Sequence, residues 1–225
     1  MNLLELVELL ELDNLKKTSY ASPLKLVAIG KTLNFNSNTR VIDFGCGRGS
    51  ALKLWGEYFD VSGEGIEQYE PYCKQAREKL KKNQLFSQIK IKCEDASNYK
   101  YDEGSFDVAS CLGSSMIWGG FQSTLNNIKK AIGKDGTIII GEPYFTNKRV
   151  PQELIELEGK CHTESEILSI IRKEGFKLEF VRRASIDDKD NYRAHFEGDL
   201  QESAIKYMKD YYYGWGIYVM KGCES

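Results

Sequence analysis

The stretch Val41-Ile42-Asp43-Phe44-Gly45-Cys46-Gly47-Arg48-Gly49-Ser50 carries the strongest chemical signal in the chain. A short apolar run leads into glycines at alternate positions. Such glycines let the backbone turn sharply and let a ligand lie against bare main chain. A helix starting just after them aims its unpaired N–H groups at that ligand. Asp43 stands two residues before the first glycine. A carboxylate there opposes a pyrophosphate and supports an ammonium group, directly or through water. Dinucleotide sites use G-x-G-x-x-G, whereas the spacing here is G-x-G-x-G.

Two more acids follow at comparable places. Glu67 closes the run Gly65-Ile66-Glu67, about twenty residues after Gly45, where a carboxylate can accept both hydroxyls of a ribose. This placement also fits a dinucleotide layout, so alone it does not discriminate. Asp95 lies in Cys93-Glu94-Asp95-Ala96. Its carboxylate can accept from an adenine amino group, and the small Ala96 leaves room for the ring. Three acids at three successive strand ends suit a ligand with a sugar, a base and a cationic amino-acid tail. They suit a diphosphate poorly.

The elements that must position these acids read as alternating strands and helices. Strands are expected over 40–44, 61–67, 88–93, 106–112, 137–141, 176–182 and 216–221, from short apolar runs bounded by turn residues. Helices are expected over 2–12, from Pro23 to about Thr32 after the cap residue Ser22, after Ser50, over 70–82 behind Pro71, and over 125–132, 164–174 and 192–213. The rhythm between 40 and 142 implies parallel strands joined by right-handed crossovers, a doubly wound α/β domain. The segment 184–214 is longer than a crossover needs and reads as a cap on the acceptor side. The expected organisation is one domain over 1–225, with an N-terminal helical lid at 1–33, a core at 35–183 and 215–225, and the cap between.

Composition narrows the class. The chain has 225 residues, 31 Lys plus Arg and 33 Asp plus Glu, a formal charge of -2. That balance gives no electrostatic reason to expect a nucleic-acid partner. Six cysteines are scattered without a C-x-x-C pair. Free thiols in a cytoplasmic protein are the expectation, with no metal and no redox dithiol. Cys161-His162 has no second pair at ligand spacing. The Leu-rich start is broken by Glu5, Glu8 and Glu11, so neither an export signal nor a membrane span is expected.

In these motifs the chain resembles the class I S-adenosylmethionine-dependent methyltransferases. The matching stretches are Val41 to Ser50, Gly65 to Gln68, Glu94 to Ala96, Ser105-Phe106-Asp107-Val108, and Lys134-Asp135-Gly136-Thr137. Cys111 to Phe121, Gly141-Glu142-Pro143-Tyr144, Asp188 to His195 and Tyr213-Gly214-Trp215-Gly216 are similar to an uncharacterised bacterial branch of small-molecule methyltransferases. The resemblance implies a Rossmann-like seven-stranded sheet with the last strand antiparallel, and S-adenosyl-L-methionine as cofactor. It implies that Asp43, Gly45, Cys46 and Gly47 hold the methionine part. Glu67 would take the ribose hydroxyls, where many relatives have Asp. Gln68, Asp95 and Ala96 would surround the adenine, and Cys111 and Leu112 would pass beneath the sulfonium.

The implied reaction is in-line methyl transfer to a small-molecule acceptor by a monomer or homodimer. Candidate acceptor residues are Trp118, Glu142, Tyr144, Tyr192 and His195, with Ser114, Ser115 and Met116 as further walls and Tyr20 as part of a lid. Glu142-Pro143-Tyr144 is similar to the Asn/Asp-Pro-Pro-Tyr motif of adenine amino-methylases, but it follows the fifth strand rather than the fourth. Two alternatives stay open: a nicotinamide-dependent oxidoreductase and a non-catalytic nucleoside-binding module.

Overall fold

The computed structural model describes residues 21–146, 161–185 and 213–223. Seven strands form one sheet: β1 (Arg40–Phe44), β2 (Ser62–Glu67), β3 (Ile89–Cys93), β4 (Phe106–Leu112), β5 (Ile132–Phe145), β6 (Phe176–Arg183) and β7 (Tyr213–Gly222). Their order is β3-β2-β1-β4-β5-β7-β6. Strands β1 to β5 pair in parallel, and β7 runs antiparallel to both β5 and β6. This is the expected doubly wound sheet with its last strand reversed.

Among the described residues five α-helices flank it: α1 (Pro23–Thr32), α2 (Ser50–Phe59), α3 (Glu70–Lys82), α4 (Phe121–Ile128) and α5 (Glu164–Lys173). Their starts follow local chemistry. The Ser22 hydroxyl accepts from the Lys25 amide ahead of α1, with Pro23 in the first turn. Thr163 and Glu166 form a reciprocal capping box at α5.

Side chains alternate between the sheet's two faces. One face packs Val41 and Val108 against Leu52, Trp55, Ala76 and Leu80 of α2 and α3. The other packs Ile42, Phe44 and Cys111 against Phe121 and Leu125 of α4 and Ile167 and Ile171 of α5. Helix α1 belongs to the first layer. Its Leu26, Val27 and Ile29 are buried, and the Trp55 indole donates to the Leu26 carbonyl at 2.9 Å.

Three elements differ from expectation. Helix α4 begins at Phe121, directly after Gly119-Gly120, and its last turn tightens to a 3₁₀ turn at Lys129–Ala131. Strand β5 runs on to Phe145 because β7 pairs with it continuously from Thr137 to Phe145. Glu142-Pro143-Tyr144 therefore lies inside the strand. Proline is tolerated there because the Gly141 carbonyl already faces the β4 side, accepting from Gly113. Pro143, two residues on, faces the same side, where β4 has ended and no amide is required. Strand β7 correspondingly starts at Tyr213, earlier than the expected Gly216.

The expected helix at 2–12, Tyr20, Tyr192, His195 and most of the 184–214 cap lie outside the described residues. Among the described residues no helix is long and apolar enough to cross a membrane.

Trp55 joins α1 to the core, so its removal tests that layer. Trp55→Ala is expected to cost about 3–5 kcal/mol of unfolding free energy, and Trp55→Phe about 1–2. Urea denaturation of the two variants checks the order.

Candidate functional site

From β3 the chain crosses to the far side of β1 to form β4. The β1–β4 seam is therefore the topological switch point, where open α/β sheets bind ligands beyond the strand ends. At this seam Asp43 of β1 pairs in register with Ser110 of β4. The Ser110 hydroxyl donates to Asp43 Oδ1 at 2.7 Å. Asp43 is only 2% exposed, yet it lines a hollow of about 320 Å³ beyond the strand ends. Burial pushes its carboxyl up to about 7; the Ser110 hydrogen bond pulls it down, and the nearby Glu67 charge raises it further.

The glycine loop wraps the mouth of this hollow. Gly45 has φ +68°, and a Cβ there would fall 2.4 Å from the Cβ of Ser114. Ser114 fills that space and donates to the Gly45 carbonyl at 3.2 Å. Gly47 has φ +54°, and a Cβ there would meet nothing within 4 Å. Its glycine is required by conformation, and the space beside it is open to a ligand. The Gly45 and Cys46 amides both donate to the Ile66 carbonyl, which ties the loop to the tip of β2.

Glu67 ends β2 and strengthens that tie. Its Oε2 accepts from the Gly47 amide at 3.0 Å, and its Oε1 accepts from the Tyr69 amide at 2.8 Å. Each oxygen keeps a second lone pair. Glu67 also borders a second hollow of about 390 Å³, together with Gln68, Asp95, Ala96, Met116 and Ile117. The two hollows share Gly45, Glu67 and Ser114, so they meet at the ribose-type acid. Asp95 stays exposed and organises its own turn. It accepts from the amide and hydroxyl of Ser97 and from the Asn98 amide group, which hold its carboxyl below the usual range.

The structure thus brings Asp43, Gly45, Cys46, Gly47, Glu67 and Leu112 to the first hollow, and Gln68, Asp95 and Ala96 to the second. Cys111 lines neither. It is fully buried on the opposite face with Ile42 and Phe44, because strand alternation turns Leu112, not Cys111, toward the first hollow. Trp118 also packs on that second face, edge-on to Phe44 at 5.5 Å between ring centres. Glu142 and Tyr144 are buried there too and border neither hollow. Burial pushes the Glu142 carboxyl up to about 7, moderated by a hydrogen bond from Ser115.

Ser110, Arg48 and Tyr72 are polar residues at the site that the sequence did not single out. Ser110 left a signal: it is a polar residue in the apolar run Val108-Ala109-Ser110-Cys111-Leu112. Arg48 and Tyr72 left none. They line the first hollow with the guanidinium 4.8 Å over the ring, a contact made between α3 and the glycine loop.

Comparison with known proteins gives this geometry a context. A family model described as "Methyltransferase domain" matches residues 35–210. The Escherichia coli (strain K12) protein described as "Uncharacterized protein YjhP" is 27% identical over 139 residues, covering 62% of this chain and 56% of that one. The chain spans about half the length of the curated relatives it matches. A SAM-dependent methyltransferase from Thiobacillus denitrificans, solved with S-adenosyl-L-homocysteine, shares the fold with a TM-score of 0.80 at 23% identity, over 99% of this chain and 100% of that one. A counterpart from Geobacter sulfurreducens, also solved with S-adenosyl-L-homocysteine, gives a TM-score of 0.79 at 22% identity, over 96% and 98% of the two chains.

The two buried carboxyls set a pH dependence. Asp43 and Glu142 both titrate higher in the folded protein than their ordinary values of 3.8 and 4.5. Between those values and about 7 the folded state keeps protons that the unfolded state has released. Stability from these groups is therefore present at low pH and lost as pH rises through about 7. Urea unfolding of the unliganded protein between pH 5 and 8 is expected to show it. Asp43→Asn and Glu142→Gln should each flatten the fall, by on the order of 3 kcal/mol across the window.

Proposed function

The chain belongs to the methyltransferase-domain family, and on that premise we propose that it moves a methyl group from S-adenosyl-L-methionine to a small-molecule acceptor. One observation carries the reading: a buried, proton-hungry carboxyl, Asp43, faces a hollow that continues past Glu67. Asp43 calls for a cation, and the free lone pairs of Glu67 suit a vicinal diol. A molecule with an ammonium group at one end and a ribose in the middle meets both demands. The open side of Gly47 leaves room for it against bare backbone.

In this reading Asp43 holds the ammonium group of the methionine part, and Gly45, Cys46 and Gly47 bound that part. Glu67 takes the ribose hydroxyls. Its links to the Gly47 and Tyr69 amides fix its orientation before the ligand arrives. Gln68, Asp95 and Ala96 border the adenine, and Leu112 closes the sulfonium end with Cys111 packed behind. When bound, S-adenosyl-L-methionine supplies a methyl group already activated by a sulfonium. The protein's contribution is alignment and the exclusion of water.

The acceptor enters beside the loop after β4, where Ser114 touches both hollows. Trp118, Glu142 and Tyr144 support this side from the second sheet face. A base is needed only for an acceptor that arrives protonated. The formal charge of -2 favours a small molecule over a nucleic acid.

Calorimetric titration with S-adenosyl-L-homocysteine tests the cofactor assignment. One equivalent is expected to bind, and NADH is expected to give no heat. Asp43→Asn and Glu67→Gln should each weaken binding by about tenfold or more, on the order of 1.4 kcal/mol. Affinity should rise between pH 6 and 8, because Asp43 must lose its proton to meet the ammonium group. Labelled cofactor offered with a panel of amines, phenols and carboxylic acids reads the transfer itself. Tight binding with no turnover across the panel would turn the reading toward a nucleoside-binding module.

A further inference from the structure

The scattered cysteines contain one close pair that spacing along the chain conceals. The β2–α3–β3 crossover lays α3 beside the end of β3 and brings Cys73 against Cys93. Their sulfurs lie 2.6 Å apart. Glu70 stands three residues before Cys73 on α3, so both project from the same side of the helix. One donor atom from each of Glu70, Cys73 and Cys93 lies within 4.8 Å of the other two. Cys73 is buried, Cys93 half-buried and Glu70 exposed, which leaves the cluster open on its outer side.

We propose that Glu70, Cys73 and Cys93 form a binding site for a thiophilic divalent cation of the zinc kind. Two sulfurs select a soft or borderline metal over magnesium or calcium, and the carboxylate supplies a third ligand. A water molecule or a backbone oxygen completes four-fold coordination. The Glu67 carbonyl is 3.1 Å from the Cys73 sulfur and the Gln68 carbonyl 3.9 Å from the Cys93 sulfur.

On binding, each thiol gives its proton to solvent and forms a bond to the metal, and no electron transfer is involved. Two metal–sulfur bonds of about 2.3 Å at a tetrahedral angle place the sulfurs about 3.8 Å apart. The pair must therefore open, and the half-buried Cys93 has room to swing outward. Arg77 lies 3.6 Å from Glu70, so it offsets the excess negative charge of two thiolates and a carboxylate on one dication.

The site lies directly behind the tip of β2, whose Glu67 and Gln68 carbonyls rest against its two sulfurs. It clasps the start of α3 to the end of β3. This inference does not depend on the methyl-transfer reading, since neither the ligand set nor its test involves the cofactor.

The experiment is an anaerobic titration of the reduced, chelator-treated full chain with Co²⁺, followed by optical absorption. The expected result is one equivalent bound with thiolate-to-cobalt charge transfer in the near ultraviolet, displaced by Zn²⁺. Cys93→Ser should lose most of that absorption and bind about tenfold or more weakly. Glu70→Gln should keep the absorption and weaken binding. Far-UV circular dichroism verifies that each variant is folded, and the partly exposed Cys93→Ser serves if Cys73→Ser does not fold. No charge transfer at millimolar Co²⁺ overturns the proposal. So does undiminished binding by Cys93→Ser, or an isolated protein lighter by two hydrogen atoms through a Cys73–Cys93 disulfide that persists under reduction.

Discussion

A carboxyl group shut away from water, with a single hydroxyl as its partner, sets the terms for this molecule. Asp43 accepts from Ser110 across the β1–β4 seam, is almost wholly buried, and meets the hollow at its one open edge. Burying a carboxylate without a counter-charge is costly, so the group holds its proton or finds a cation. The seam gives it the means to do so. The chain turns away to opposite sides on leaving β1 and β4, and the strand ends part to leave a hollow. The glycine loop follows from the same constraint. Immediately after Asp43 the backbone must turn away from the hollow without filling it, and the left-handed conformations of Gly45 and Gly47 accomplish that.

Strand parity divides the work between the two faces. On the cofactor side β1 presents Asp43, and β4 presents Ser110 and Leu112. One residue out of phase, Phe44 and Cys111 are committed to the second core. The last strand obeys the same rule. In Tyr213-Gly214-Trp215-Gly216 the glycines share one face and Trp215 the other. The Tyr144 ring lies across Gly214 and the Tyr218 ring across Gly216, positions that a Cβ would obstruct. Trp215 lies across Gly141 on the opposite face, beside Leu112. Small residues on β5 and β7 thus let large rings pack flat where the two strands run side by side.

Much of this was legible in the sequence, because the relevant signals are local. An apolar run ending in alternating glycines fixes a strand, a turn and a helix start within ten residues, and acids at strand ends are visible from the flanking pattern. The reversed last strand came from the family resemblance rather than from periodicity, and the strand order is seen only in the structure. What stayed hidden depends on register and on packing between distant segments. Cys111 and Leu112 are adjacent in sequence, and only the phase of β4 against β1 decides which one faces the hollow. The length of β5 depends on β7, some eighty residues further on, which pairs with it as far as Phe145. Arg48 against Tyr72 and Cys73 against Cys93 are contacts between elements that no spacing rule connects. The N-terminal segment and the cap carried sequence expectations that fall outside the described residues.

The second face poses its own electrostatic problem, and the packing of the rings sharpens it. Gly216 pairs with Glu142 across β5 and β7, and the Tyr218 ring leaning over Gly216 carries its hydroxyl toward the Glu142 end of the strand. Glu142 Oε2 and the Tyr218 hydroxyl are both buried, and neither has a hydrogen-bond partner among the described residues. The charges that act on the Tyr218 hydroxyl, Arg183 and Glu164, are paired with each other at 2.7 Å and offer little net compensation. A buried carboxyl in such surroundings favours its protonated form, which burial of Glu142 already promotes. The sheet therefore carries a reluctant acid on each side of its carboxyl edge. Asp43 opens onto a hollow that can admit a cation. Glu142 is enclosed, with the Ser115 hydrogen bond as its partial relief, so it gives up its proton only as pH rises through about 7.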